Sequence, residues 1–176
     1  MPQLILCGLP GCGKTTIGIS LAEALQYPFF DTDRYIEYLY TQHTEDKLSG
    51  REIMQKKGEA YFRALEKESI AKLPLTRNTV IALGGGAILD RQNRKYVRSL
   101  GSIIYLKEEP TILFQQAILS GMPTYLDPLS PRSSYQELAS FREPLYAEIA
   151  HWTILLKKRT PAEIVTEILQ IITLEK

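Results

Sequence analysis

The chain has 176 residues, of which 44% are hydrophobic and 23% charged, and its formal net charge is +1 at pH 7. These values are ordinary for a globular protein and exclude disordered, collagen-like and coiled-coil chains, and a length within the usual ~100–200 residues per domain predicts a single domain over residues 1–176. The small charge argues against a nonspecific nucleic-acid binder, which normally carries a strong basic excess, so we expect no nucleic-acid partner.

Short apolar runs alternate with longer helical stretches along the chain, a pattern typical of βαβ units and a parallel sheet. Strands are predicted at 4–7, 28–31, 79–83, 102–106 and 153–156. Helices are predicted at 15–25, 34–40, 51–72 with a break near Gly58, 91–99, 110–120 and 161–172. The fold class predicted from this order is α/β.

The segment 121–134 differs from the rest of the chain. It begins with Gly121 and contains Pro123, Pro128 and Pro131. Because proline interrupts both helices and strands, we expect no regular element through it. A loop of this length inside a compact domain is either functional or disordered.

The two cysteines, Cys7 and Cys12, are too few for a disulfide framework or a Cys-rich zinc site. They predict a reduced protein. No apolar run approaches the ~18–20 residues that span a bilayer, and no signal-peptide pattern is present. We therefore expect a cytoplasmic protein that has no membrane partner.

Residues 8–15 read GLPGCGKT and match G-x-x-x-x-G-K-[ST] in every fixed position. Glycines let successive backbone N–H groups curl around one anion, and the following helix adds the positive end of its dipole. Lys14 is expected to reach the β- and γ-phosphates, and the Thr15 hydroxyl to ligate Mg²⁺. The alternative is a glycine-rich turn with an incidental lysine. Several classes of NTPase and kinase share this loop, so it predicts a nucleotide and no particular reaction.

Two carboxylates follow the second predicted strand, at Asp31 and Asp33. Ligands of open α/β sheets gather beyond the carboxyl ends of the strands. There the two groups could serve Mg²⁺ and orient an attacking substrate hydroxyl. The alternative is that one of them only caps the next helix.

Residues 58–66 read GEAYFRALE, and helical spacing puts one set of side chains on a single face: Glu59, Phe62, Arg63 and Glu66. An arginine between two glutamates indicates either a solvated salt-bridge ladder or a guanidinium held rigid to grip a carboxylate.

Two more motifs lie further along the chain. Gly84–Gly86 directly follows the third predicted strand, where glycines permit close approach of a ligand, although a flexible turn is the alternative. Arg142 lies on or near a helix within the run REPLY, and it is either a second carboxylate clamp or a surface arginine.

Together these motifs resemble those of the shikimate kinase family, in the nucleoside-monophosphate-kinase-like branch of P-loop proteins. The resemblance runs from Leu4 to about Ile172, and the DTD, GExxFRxxE, GGG and RxPLY motifs are specific in combination. It implies a three-layer P-loop kinase fold, with a five-stranded parallel sheet in the order 2-3-1-4-5 and helices on both faces. It also implies an acceptor-binding region at about 31–66 and a mobile lid at about 110–136.

The resemblance further implies ATP-dependent phosphorylation of the shikimate 3-hydroxyl, in the pathway to chorismate and aromatic amino acids, with Mg²⁺ as cofactor. The ATP-binding residues would be Gly11, Cys12, Gly13, Lys14, Thr15, Thr16, Arg159 and Pro161. The shikimate-binding residues would be Asp33, Arg63, Gly84, Gly85, Gly86 and Arg142, supported by Glu59, Phe62 and Glu66. Asp33 would be the base, the two arginines would meet the carboxylate, and Thr15 and Asp31 would serve the metal, Asp31 through water.

The chain departs from the family in the lid. Met122 stands where an arginine that reaches the transferring phosphate is expected, and no Lys or Arg occurs between Pro110 and Pro131. A positive charge there can matter by orders of magnitude. Our hypothesis is that Arg132 swings in as the substitute and acts catalytically with Lys14, the alternative being that Lys14 and Mg²⁺ carry the charge alone. An unchanged kcat in an Arg132→Ala enzyme would exclude the hypothesis.

Two other functions stay open. A different small-metabolite kinase, such as a gluconate kinase, would fit a paired Arg63 and Arg142 around a compact polyol acid. A nucleotide-binding module without turnover would fit the altered lid, although Lys14, Thr15 and the carboxylates argue against it. ATP and shikimate are the expected partners, and we expect a monomer.

Overall fold

A computed structural model describes residues 3–74, 78–119, 123 and 125–174. Its strands are β1 Gln3–Cys7, β2 Phe29–Asp31, β3 Val80–Ala82, β4 Gly101–Lys107 and β5 Trp152–Leu155. Its helices are α1 Lys14–Leu25, α2 Thr32–Thr44, α3 Gly50–Lys57, α4 Glu59–Ala71, α5 Arg91–Leu100, α6 Pro110–Leu119, α7 Pro131–Ile149 and α8 Pro161–Leu174. The predicted break near Gly58 is confirmed, since that residue separates α3 from α4 with a φ of +85°.

The five strands form one parallel sheet in the order β2-β3-β1-β4-β5, as the resemblance implied. Strand β1 is central and buried throughout, and its Ile5 pairs with Ile81 on one side and Ile103 on the other. A continuous apolar run of this kind is typical of a parallel strand covered on both faces. All the strands are parallel, so the segments that follow β1, β2 and β3 lie together at the carboxyl ends of the strands.

Two apolar clusters hold the described helices. The larger one joins the sheet to residues of α1, α4, α5, α6, α7 and α8. The smaller one lies among α2, α3 and α4 and consists of Ile36, Leu39, Tyr40, Ile53 and Leu65. The three helices that follow β2 therefore pack mainly on one another, and Ile70 of α4 also joins the larger cluster.

The expectation of no regular element through 121–134 is wrong at its end, because α7 begins at Pro131. Proline is tolerated in the first turn of a helix, where its missing N–H would have no partner. The same helix continues through Pro144, which is exposed. Residues 120–122 and 124, and with them the expectation about Met122, lie outside the described residues. Within the described part of the chain, no helix has the length and apolar character needed to cross a membrane.

Candidate active site

The phosphate loop lies between β1 and α1 and takes backbone angles that suit glycine. Gly11 and Gly13 have φ values of +88° and +81°, and Gly13 is the N-cap of α1. The ammonium of Lys14 curls back over the loop and donates hydrogen bonds to the carbonyl oxygens of Gly8 at 3.0 Å and Leu9 at 3.1 Å. A cation and the positive end of α1 thus meet at one point, which is an anion site.

Asp31 contacts both the phosphate loop and the acceptor region. Its Oδ2 accepts a hydrogen bond from the Thr15 hydroxyl at 2.7 Å. Its Oδ1 caps α2, accepting from the N–H groups of Asp33 at 3.0 Å and Arg34 at 3.3 Å. The capping interpretation is therefore confirmed for Asp31. Its other carboxylate oxygen contacts Thr15, and its predicted role toward Mg²⁺ stays a prediction.

Asp33 lies on α2 directly against the turn after β3. A Cβ at Gly84 would overlap its Oδ1, so glycine is required there for this approach. The Gly84 N–H donates to the buried Thr32 hydroxyl at 2.7 Å, which fixes the turn beside the carboxylate. Asp33 is exposed where it lines the open cavity, and protein groups lie close around its carboxylate. Their partial exclusion of water raises its pKa to about 6, the negative charge of Asp31 adds to the rise, and Lys14 opposes it.

Arg63 is held by the two glutamates of its own helix. Its Nη1 donates to Glu66 Oε2 at 2.9 Å and its Nη2 donates to Glu59 Oε1 at 3.3 Å. A Cβ at Gly86 would overlap Nη1, so the guanidinium lies directly against the glycine turn. Burial raises the pKa of Glu66, although the Arg63 charge opposes the shift. The salt-bridge ladder is present, and it also orients the arginine; the Phe62 ring lies 5.7 Å from Arg63 Cζ.

Arg142 comes to the same turn from α7. Only 7% of it is exposed, which excludes the surface-arginine alternative. Its Nη1 donates to the carbonyl of Gly85 at 3.0 Å, and the hydroxyl of Tyr146 donates to the same oxygen at 2.6 Å. Its charge also opposes the rise in the pKa of the nearby Glu66. Hydrogen bonds therefore hold the glycine turn from both α2 and α7.

A single cavity of about 840 Å³ joins these groups. The predicted site residues that line it are Gly11, Gly13, Lys14, Thr15, Asp33, Phe62, Arg63, Glu66, Gly85, Gly86 and Arg142. Three further predicted residues contact residues of this lining: Asp31 contacts Thr15, Glu59 contacts Arg63, and Gly84 lies against Asp33. The structure thus brings the phosphate loop and the acceptor motifs together around one space.

The remaining predicted site residues are not among the described residues that line this cavity. Cys12 is buried within the loop and Thr16 is exposed on α1. Arg132 is exposed in the first turn of α7. Arg159, whose Nη1 donates to Glu167 Oε2 at 2.5 Å, lies after β5 with the exposed Pro161. Their predicted roles toward ATP stay predictions.

Several contributors were missed by reasoning from the sequence. Thr32 and Tyr146 hold the glycine turn, and Tyr135 donates to the carbonyl of Pro10 at 2.6 Å. Arg51 and Tyr125 line the cavity. Thr32 lies in the DTD motif and Tyr146 in the RxPLY motif, so both had a usable signal. Nothing local distinguishes Tyr135, because its partner lies far away in the chain.

Comparisons with known proteins agree with this geometry. The profile of the family described as Shikimate kinase matches residues 10–173. The shikimate kinase of Symbiobacterium thermophilum is 37% identical over 171 residues, covering 96% of this chain and 94% of the relative. That of Ralstonia nicotianae is 36% identical over 167 residues, covering 95% and 85%. The solved structure of shikimate kinase from Acinetobacter baumannii in complex with shikimate has a TM-score of 0.90 at 32% identity, covering 100% of this chain and 95% of that one.

Proposed function

The chain belongs to the shikimate kinase family, and from that premise we propose that it transfers the terminal phosphoryl group of ATP to the 3-hydroxyl of shikimate. The observation that carries the proposal is that the phosphate loop lines the same cavity as Asp33, Arg63 and Arg142. Phosphoryl transfer depends mostly on positioning and on electrostatic stabilisation, so a shared cavity for donor and acceptor is its main requirement.

The loop side of the cavity binds the nucleotide in this proposal. Backbone N–H groups at the start of α1 face the phosphates, and Lys14 exchanges its bonds to the Gly8 and Leu9 carbonyls for bonds to phosphate oxygens. The lysine charge then acts on the oxygens that gain negative charge during transfer.

The Thr15 hydroxyl and the Asp31 carboxylate are hard oxygen donors, which fit Mg²⁺. In the described part of the chain, no group of three or more His, Cys, Asp or Glu side chains could hold a metal ion. A magnesium ion at Thr15 would therefore rely mainly on phosphate oxygens and water, with Asp31 acting on its bound water. When bound, it neutralises developing charge on the phosphates.

Asp33 orients the acceptor and takes its proton. The hydroxyl oxygen forms a bond to the γ-phosphorus while the bond from that phosphorus to the bridging oxygen breaks, and ADP leaves. The hydroxyl proton passes to the Asp33 carboxylate, whose pKa of about 6 makes it a better base than an ordinary aspartate and leaves it ionised at neutral pH. Arg63 and Arg142 hold the acceptor carboxylate, since planar guanidinium groups pair with carboxylates through two donors.

The product of the reaction tests this proposal. We expect the protein with ATP and Mg²⁺ to convert shikimate to its 3-phosphate, identified by ³¹P coupling to the proton on carbon 3, and to leave gluconate unchanged. Phosphorylation of gluconate in place of shikimate would favour the other kinase. ATP binding without any phosphorylated product would favour a module without turnover.

Three finer expectations stay proposals. Arg132 as the substitute for a lid arginine rests on the absence of Lys and Arg between Pro110 and Pro131 in the sequence. The cytoplasmic location and the monomeric state also stay predictions.

A further inference from the structure

The first turn of α3 forms one wall of the acceptor side of the cavity. Ser49, Gly50, Arg51 and Met54 all line it. This turn is firmly placed, because Ser49 and Glu52 form a reciprocal capping box and the Gly50 N–H donates to Glu37 Oε1 on α2 at 2.8 Å. Arg51 thus projects from a fixed point of the wall.

Arg51 is the second residue of α3, and a cation in the first turn of a helix is opposed by the helix dipole. Lys14, which is the first residue of α1, has the same disadvantage. The phosphates of a bound nucleotide would offset this unfavourable interaction with the helix dipole. An anion in the cavity would do the same for Arg51. Arg91 also begins a helix, α5, but is not among the described residues of the cavity lining, so the position within a helix alone does not mark a site.

Arg51 shares the cavity lining with Tyr125, Asp33 and Arg142. Partial burial raises the pKa of Tyr125 to about 12, and the Asp33 carboxylate adds to the rise. The guanidinium groups of Arg142 and Arg51 oppose the rise, so both lie within electrostatic range of the same phenol. Among the described lining residues the cations are Lys14, Arg51, Arg63 and Arg142, against the acidic Asp33, Glu37 and Glu66.

We propose that Arg51 is an acceptor-binding, specificity-determining residue, which adds a third guanidinium to Arg63 and Arg142 for the anionic group of a polyol acid. The acceptor side is favoured over the nucleotide because α3 packs on α2 and α4, the helices that carry Asp33 and Arg63. This inference rests on the proposed function, since it assumes that the acceptor is shikimate.

Steady-state kinetics test the inference with Arg51→Ala, Arg51→Lys and, as a matched control, Arg91→Ala. Loss of a hydrogen bond to a charged group predicts that Arg51→Ala raises the KM for shikimate about tenfold or more and leaves the KM for ATP within about twofold. Arg51→Lys keeps the charge but not the planar fork, so its KM for shikimate should lie between those of the unaltered protein and of Arg51→Ala. The control should match the unaltered protein.

The possible outcomes separate the two proposals. An unaltered protein that shows no shikimate-dependent turnover contradicts the proposed function itself. An active unaltered protein whose Arg51→Ala variant keeps its KM for shikimate within about twofold, or loses affinity for ATP instead, overturns the role of Arg51. Equilibrium binding of shikimate to each folded variant, checked by circular dichroism, excludes a loss that comes from misfolding.

Discussion

The phosphate loop and the acceptor wall, by which we mean Asp33, Arg63 and Arg142, face one cavity. The loop comes from the single run 8–15, whereas the wall combines residues of α2, α4 and α7. The loop presents mainly backbone groups, and glycine angles set its shape. The wall presents side chains, and other side chains set its shape. A backbone cradle suits any nucleotide, whereas only a particular set of side chains suits one acceptor.

The two regions also differ in what a substitution should disturb. In the wall, the buried Glu66 interacts electrostatically with both Arg63 and Arg142, and the glycine turn lies in close contact with both arginines. Apart from the proposed base Asp33, changes there should alter affinity for the acceptor and leave the nucleotide site intact. Changes in the loop should act on phosphoryl transfer itself.

Among the changes that separate the two regions, the largest effect is expected in the loop. Lys14→Ala removes the cation that, in the proposed reaction, faces the transferring phosphate, and we expect kcat to fall about 10²- to 10³-fold. Shikimate binding to the nucleotide-free protein, measured by calorimetry, should stay within about twofold. Lys95→Ala on α5 serves as a control that removes an exposed lysine from another helix. A comparable loss of kcat in that control, or an unaffected Lys14→Ala enzyme, would contradict the assignment.

Arg142→Lys should disturb the wall alone. The lysine keeps a positive charge near Glu66, so the fold should survive, but it loses the planar fork. We expect the KM for shikimate to rise about 10- to 100-fold with the KM for ATP unchanged. Equal increases in both KM values would show that the two halves are not separable.

A smaller effect is expected from Gly86→Ala, because the new Cβ would overlap Nη1 of Arg63, the end of a flexible side chain. The guanidinium can move aside, so we expect a melting temperature close to that of the unaltered protein and a KM for shikimate raised about tenfold. Gly50→Ala is the matched control in the same cavity, since its Cβ would lie at 3.4 Å from Phe62 Cε2. A large drop in melting temperature for Gly86→Ala would show that the turn is needed for the fold instead.

The smallest effect concerns pH. As the proposed base, Asp33 must be ionised to accept the proton, and its pKa is raised to about 6. We therefore expect kcat/KM for shikimate to fall by about half between pH 8 and pH 6 and about tenfold by pH 5. ADP should be measured by chromatography, so that coupling enzymes do not contribute. A flat profile down to pH 5 would mean that the base has an ordinary aspartate pKa.

The same pKa gives a stability prediction with a definite sign. Because folding raises the pKa of Asp33, the folded state favours the protonated form, and this contribution to stability is lost as the pH rises from about 4 through 6. Asp33→Asn should therefore melt above the unaltered protein at pH 8, and the difference should shrink toward pH 4. A variant that melts lower at pH 8 would contradict the sign.

Much of this molecule could be predicted from the sequence because the decisive residues are contiguous. The loop 8–15 identified a nucleotide site by itself, and the alternation of apolar and helical runs predicted the α/β class. The strand order and the roles of Asp33, Arg63 and Arg142 needed the family resemblance, since nothing local brings these residues together.

What was missed depends on distant contacts. Thr32 and Gly84 are 52 residues apart, and Tyr135 and Pro10 are 125 apart, yet each pair shares a hydrogen bond. Pro131 was interpreted as an interruption, although the first turn of a helix accepts it. Tertiary packing decides the two hydrogen bonds, and no local pattern identifies the partner of Thr32 or of Tyr135.

Shikimate-dependent ADP release tests the central claim most directly, with the unaltered protein and Asp33→Asn measured side by side in ATP and Mg²⁺. The account predicts turnover that requires shikimate and falls about 10²- to 10⁴-fold in the variant, while ATP binding by calorimetry is unchanged. ADP release that is indifferent to shikimate, or a variant as active as the unaltered protein, would contradict it.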